Sequence, residues 1–178
     1  MKKYLVIGNP IEHSLSPKLH NYWIKKNNLD AAYDKKRLNE SDIKGIIDEV
    51  KNGKIDGINV TVPFKKSVIP FLDKLTPLAN ETRSVNTIYK EKENAIDVVV
   101  GDNTDVGGFK QSLEYINYKV KNKKIFILGA GGVVPSILKA LEKLEAAKVY
   151  ISNRTKEKAK DLESYYKTSL DLETLDWG

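Results

Sequence analysis

The five residues Lys124-Ile125-Phe126-Ile127-Leu128 form the clearest strand pattern in the chain, and they run directly into the small-residue turn Gly129-Ala130-Gly131-Gly132. Apolar residues at helical spacing follow from about Val134 to Leu144, and a second strand pattern, Lys148-Val149-Tyr150-Ile151-Ser152, comes next. A strand, a tight turn, a helix and another strand of the same kind leave few ways to fold. The two strands lie parallel in one sheet, joined by a right-handed crossover. Asn153-Arg154-Thr155 opens a further helix to about Tyr166, and Leu170 to Gly178 shows no clear period. Two strands of this sheet are therefore expected, whereas a doubly wound domain of the kind needs about six.

The same alternation precedes it. Tyr4-Leu5-Val6-Ile7, ended by Gly8-Asn9-Pro10, reads as a buried parallel strand. Ser16-Pro17 places a capping residue before a proline, and Leu19, Tyr22, Trp23 and Lys26 continue at helical spacing. Ala31 to Leu38 predicts a strand. Asn39 is a cap for a helix whose stripe is Ile43, Ile46, Ile47 and Val50, with Gly53 at its end. Gly57 to Val62 predicts a third strand, broken by Pro63. Two short helical segments (Lys65 to Leu72, Pro77 to Asn80) and two more strands (Ser84 to Tyr89, Ala95 to Val100) complete the pattern. The expected fold class is α/β. A three-layer N-terminal domain with a mostly parallel sheet covers residues 1–104, and the first half of a Rossmann nucleotide-binding domain covers 105–178.

Composition removes several function classes. The chain has 178 residues, enough to bury a real core. Its net charge of +6 is carried mainly by scattered lysines, and Arg37, Arg83 and Arg154 are its arginines. Nucleic-acid binders concentrate basic residues and favour arginine forks, so no nucleic-acid partner is expected, while small anions are attracted. With no cysteine, disulfides and thiolate metal sites are ruled out. The same absence suits a reducing compartment, so a cytoplasmic location is expected. No apolar stretch is long enough to span a membrane, and the apolar run at the start is too short for a signal peptide. No metal and no membrane partner are expected.

The turn at Gly129 to Val133 has the makings of a phosphate site. Small residues let the backbone approach a pyrophosphate, and the N–H groups at the helix start face the anion. Gly129-x-Gly131-x-x-Val134 carries two of the three fingerprint glycines. A tight turn that binds nothing would read the same way. The end of the second strand separates the readings. An acidic residue there would hold the ribose of NAD, but the position holds Asn153-Arg154-Thr155, with Lys156 and Lys158 beyond. A guanidinium forks onto a 2′-phosphate, which favours NADP, although a solvated helix start would also explain these cations.

Two constellations mark the N-terminal half. Ser14 and Ser16 put two hydroxyls beside a helix start, suited to a polar ligand, with plain helix capping as the alternative. Asn59 and Thr61 point to one face of their strand, and Lys65 follows one short turn later. Asn86-Thr87 and Asp102-Asn103-Thr104-Asp105 also stand at strand ends, where ligands of open α/β sheets bind. A lysine oriented by an aspartate can give a proton to an oxygen that is receiving hydride; a surface ion pair is the commoner outcome for such a pair.

Together these segments resemble the shikimate dehydrogenase family. The resemblance lies in Gly8-Asn9-Pro10-Ile11-x-His13-Ser14-x-Ser16-Pro17-x-x-His20-Asn21, Asp56-Gly57-x-Asn59-Val60-Thr61-Val62-Pro63-x-Lys65, Val85-Asn86-Thr87-Ile88, Gly101-Asp102-Asn103-Thr104-Asp105-x-x-Gly108-Phe109, Leu128-Gly129-Ala130-Gly131-Gly132 and Ser152-Asn153-Arg154-Thr155. It implies NADP-dependent interconversion of 3-dehydroshikimate and shikimate, a step toward aromatic amino acids, by a monomer or homodimer. It further implies shikimate-binding roles for Ser14, Ser16, Asn59, Thr61, Asn86 and Asp102. Lys65 would be the catalytic acid/base, with Asp102 as its partner. Gly129, Ala130, Gly131, Gly132 and Val133 would hold the pyrophosphate, and Asn153, Arg154, Thr155 and Lys158 the 2′-phosphate. Thr82-Arg83-Ser84 and Val134-Pro135 depart from the family pattern. Family members continue for roughly another half domain, so this chain is read as a shortened form, and an apolar strand edge is expected to lie open. A quinate-acting relative and a remnant that binds shikimate without turnover are the alternatives.

Overall fold

A computed structural model describes residues 1–178. The chain forms two compact units, Met1–Asn103 and Thr104–Gly178.

The first unit contains β1 (Lys2–Gly8), α1 (Ser16–Lys26), β2 (Ala31–Arg37), α2 (Ile43–Lys51), β3 (Gly57–Val60), β4 (Lys74–Leu75), α3 (Pro77–Thr82), β5 (Thr87–Glu93) and β6 (Ile96–Asp102). Its six strands are ordered β2-β1-β3-β5-β6-β4. β1 is parallel to β2 and β3, and β4 is parallel to β6, but β5 runs antiparallel to both of its neighbours. Asn94 and Ala95, both at positive φ (49° and 67°), make the tight turn that sends β6 back along β5.

Strand alternation divides the core into two layers. Ile7 faces one side of the sheet with Ile43, Ile46, Ile47 and Val50 of α2 and with Ile58, Val60, Ile88 and Val99. Val6 faces the other side with Tyr33 and Ile11, and Ile24 of α1 packs there. The unit is thus helix, sheet, helix, and the fold is α/β. The α2 stripe is buried as its spacing predicts. The α1 stripe is not: Leu19, Tyr22 and Trp23 are 48%, 58% and 47% exposed, and no residue of α1 is fully buried. Ser16 opens α1 from inside rather than capping it. Its N–H donates to Ser14 Oγ at 3.3 Å, so Ser14 supplies the hydroxyl that meets the helix start.

Several boundaries differ from expectation. β3 stops at Val60, because Phe64 N–H turns back to the Thr61 carbonyl (2.9 Å). The segment after Lys65 forms turns and a single 3₁₀ turn, Ile69–Phe71, followed by the short strand β4, which has too few residues to show a period. β5 begins at Thr87 and extends to Glu93, beyond the apolar run, because pairing with β6 carries its charged end.

The second unit contains α4 (Asp105–Tyr115), β7 (Lys124–Leu128), α5 (Val134–Lys143), β8 (Lys148–Ser152), α6 (Lys156–Tyr166) and β9 (Leu172–Leu175). The sheet is β7-β8-β9, all parallel, so there are three strands where two were expected. β9 has one buried apolar residue, Leu172, and is held mainly by its ladder to β8; a period cannot be read from one position. Val134, Leu138 and Leu141 of α5 pack with Val149, Ile151, Ala159, Leu162 and Tyr166. On β7, which stands at the edge of this sheet, Phe126 and Leu128 are 53% and 70% exposed. No helix of either unit is long and apolar enough to cross a membrane.

Candidate functional site

Because β5 runs antiparallel, its first residues lie level with the last residues of β3 and β6. Thr87 pairs with Asn59 on one side and with Asp102 on the other, which sets three polar residues in a row across three strands. The row is tied by the backbone. Asn86 N–H donates to the Asp102 carbonyl (3.0 Å), and Val60 N–H donates to the Asn86 carbonyl (2.8 Å). Val85 N–H donates to the Lys65 carbonyl (2.9 Å). Lys65 and Asp102 therefore grip the consecutive residues Val85 and Asn86. Lys65 is only 8% exposed, unusual for a lysine.

Each carboxylate and amide in the row is oriented. Asp102 Oδ1 accepts from the Thr76 hydroxyl (2.6 Å) and from Asn103 N–H (2.7 Å). Asn59 Oδ1 accepts from the phenol of Tyr33 (2.6 Å), whose pKa burial pushes up to about 12. Thr61 continues beside β1, its N–H on the Ile7 carbonyl (2.9 Å), so close to Gly8 that a Cβ there would lie 2.7 Å from Thr61 Cγ2. The glycine of Gly8-Asn9-Pro10 is therefore required by the approach of Thr61. The peptides Asn9–Pro10 and Val62–Pro63 are both cis, and Asn9 N–H donates to the Val62 carbonyl at 3.0 Å. Ser14, in the loop that leaves this end of β1, and Ser16, the first residue of α1, are both half-buried.

The structure thus joins Asn59, Asn86 and Asp102 through strand register, Lys65 through Val85, and Thr61 through β1. Ser14 and Ser16 reach the same end of the sheet by the β1–α1 loop. Sequence reading missed Tyr33 and Thr76. Thr76-Pro77 repeats the cap-then-proline signal, and Thr76 does cap α3 through Ala79 N–H (3.3 Å). Tyr33 offered only the weaker signal of one aromatic before the charged run Asp34 to Arg37.

In the second unit, Gly129 adopts φ 103°, a conformation open to glycine, and its N–H donates to the Ser152 carbonyl (2.7 Å). Asn153 Oδ1 accepts from Ala130 N–H (3.0 Å) while its Nδ2 donates to the Thr155 carbonyl (2.6 Å), clipping the glycine turn to the loop after β8. A Cβ on Gly129 or Gly131 would meet nothing within 4 Å, so open space stands over the turn. Val134, in the place of the third fingerprint glycine, is 5% exposed and belongs to the core. Arg154, Thr155 and Lys158 are exposed. Open space, a glycine at positive φ and two cations past the second strand fit a phosphorylated dinucleotide.

Comparison with known proteins gives these arrangements a lineage. The family described as shikimate dehydrogenase substrate binding domain matches residues 6–88, and that described as shikimate / quinate 5-dehydrogenase matches residues 111–176. The shikimate dehydrogenase (NADP(+)) of Pelagibacter ubique is 54% identical over 177 residues, covering 99% of this chain and 64% of the relative. That of Aquifex aeolicus is 45% identical over 156 residues, 88% of this chain and 56% of the relative. A crystal structure of shikimate dehydrogenase from Aquifex aeolicus superposes with a TM-score of 0.87 at 41% identity, over 98% of this chain and 62% of that one. A Thermus thermophilus shikimate 5-dehydrogenase in complex with NADP(H) and shikimate gives 0.84 at 28% identity, over 98% and 63%. The chain spans less than two thirds of the length of these relatives. In both of its units, by sequence and by fold, the chain belongs to the shikimate dehydrogenase family.

Proposed function

We propose that residues 1–104 bind shikimate and 3-dehydroshikimate, that residues 105–178 bind the phosphates of NADP, and that the protein reduces 3-dehydroshikimate to shikimate reversibly. The observation that carries the reading is the row Asn59, Thr87 and Asp102, with buried Lys65 tied to its neighbour Val85. Hydroxyl and carboxylate groups of a small polyol acid match such a row: Ser14, Ser16, Asn59, Thr61 and Asn86 supply donors and acceptors, and Lys65 a cation. Bound NADPH supplies hydride to the carbonyl carbon. Lys65 Nζ gives a proton to the carbonyl oxygen, which becomes the new hydroxyl, and takes it back in the reverse direction. Asp102, aimed by Thr76 and Asn103, orients Lys65. Gly129 to Val133 hold the pyrophosphate against the start of α5, with Asn153 clipping the turn. Arg154, Thr155 and Lys158 receive the 2′-phosphate. We place the reaction in the cytoplasm, carried out by a monomer or homodimer without a membrane or nucleic-acid partner.

The test is a calorimetric titration of the chain with shikimate, paired with an assay that follows NADP reduction. Saturable binding supports the substrate assignment, and absence of binding defeats it. Binding with no turnover would favour a shikimate-holding unit without catalysis.

A further inference from the structure

Tyr33 lies on β2, one strand removed from β3: it pairs with Tyr4 of β1, whereas Asn59 pairs with Val6. Its phenol crosses over β1 to reach Asn59 Oδ1 at 2.6 Å. The direction of this bond is settled by the other end of the amide. Asn59 Nδ2 faces the backbone carbonyl of Asn86 at 3.4 Å, and a carbonyl only accepts. The amide oxygen must then be turned to Tyr33, and the phenol must donate. Asn59 Nδ2 also donates to Thr87 Oγ1 (3.3 Å), and the Thr87 hydroxyl passes its own hydrogen to Asn86 Oδ1 (3.2 Å). Four side chains from three segments thus form one chain of donors running Tyr33, Asn59, Thr87, Asn86.

The head of this chain is held firmly. Tyr33 is 6% exposed. Asn21 grips its backbone twice, donating to the Tyr33 carbonyl (2.7 Å) and accepting its N–H (3.0 Å). The His20 ring stacks on the phenol at 4.2 Å and 8°. Burial keeps the phenol protonated at any physiological pH, hence always a donor. The pair His20-Asn21 has its place in this bracing.

We infer that Tyr33 is a positioning residue of the substrate site: it sets the amide direction of Asn59 and, through Thr87, that of Asn86. With its oxygen committed to Thr87, Asn86 meets a ligand oxygen through its N–H groups. The ligand part of this inference rests on the shikimate-binding reading; the relay itself does not. Tyr33→Phe keeps the ring, its stack and its burial while removing the donor. In the isotope-labelled chain it should shift the side-chain amide signals of Asn59 and also of Asn86, which Tyr33 reaches only through the relay. Thr87→Val should shift those of Asn86 in the same way. Shikimate affinity should fall about tenfold in Tyr33→Phe, the worth of one hydrogen bond, and Tyr33→Phe should cost nothing further in an Asn59→Ala background. Unchanged Asn86 signals in both variants would overturn the relay, as would an equal affinity loss with and without Asn59. If the unsubstituted chain binds no shikimate, the proposed function fails, and the amide signals alone decide the relay.

Discussion

The hydroxyl of Thr76 donates to Asp102 Oδ1 at 2.6 Å, and Thr76 Oγ1 itself accepts Ala79 N–H at 3.3 Å. One side chain thus starts α3 and aims the carboxylate assigned to orient Lys65. Thr76→Val keeps the shape and removes both bonds. It should cost about 1–2 kcal/mol in urea unfolding and weaken shikimate binding, and Thr76→Ser should restore both. A valine variant with unchanged stability and affinity would show that neither bond matters.

Lys65 is assigned the proton, and its burial makes the test clean, because a long apolar stem fills the same space. In the assay that follows NADP reduction with shikimate, Lys65→Met should lower kcat by roughly 10²- to 10⁴-fold while the circular dichroism of the fold is kept. A kcat within a factor of about two of the parent would remove Lys65 from the acid/base role.

How much of this could be read beforehand differs from residue to residue. The glycine turn, β1, α2, β7 and α5 were legible because backbone needs and apolar periods are local. α1 shows where that logic stops: Leu19, Tyr22 and Trp23 have helical spacing, yet spacing identifies a face and not what covers it. β9 was invisible because a half-buried edge strand with one buried apolar residue has no period. Within the site, strand ends announced Asn59, Asn86 and Asp102. Tyr33 and Thr76 act on other side chains 26 residues away in each case, and a contact at that separation leaves no local trace.

Arg154 is exposed, so its worth in the free chain is small, and its effect should appear only with a 2′-phosphate present. Arg154→Ala should weaken NADP binding about 10- to 100-fold, as for a lost charge-assisted bond, and leave NAD binding nearly unchanged. The difference should shrink as salt is raised. Equal losses for the two nucleotides, measured by fluorescence titration, would refute the 2′-phosphate assignment.

His20 stacks on Tyr33 and meets Trp23 edge-on at 5.8 Å, and burial lowers its pKa below the usual histidine range. The folded state therefore refuses a proton that the unfolded chain accepts near pH 6.5. Between those values the unfolded state binds more protons, so stability rises with pH. The contribution is fully present above about pH 6.5 and is lost as pH falls below it. Glu12 and Asp73 have carboxyls held below their ordinary range, so their losses begin at more acidic pH and leave the window just below about pH 6.5 to His20. Trp23 fluorescence in a Trp177→Phe background should show the urea midpoint of the first unit falling across that window. His20→Phe keeps an aromatic ring on Tyr33 and should flatten the slope. The same slope in the phenylalanine variant would mean that another group carries it.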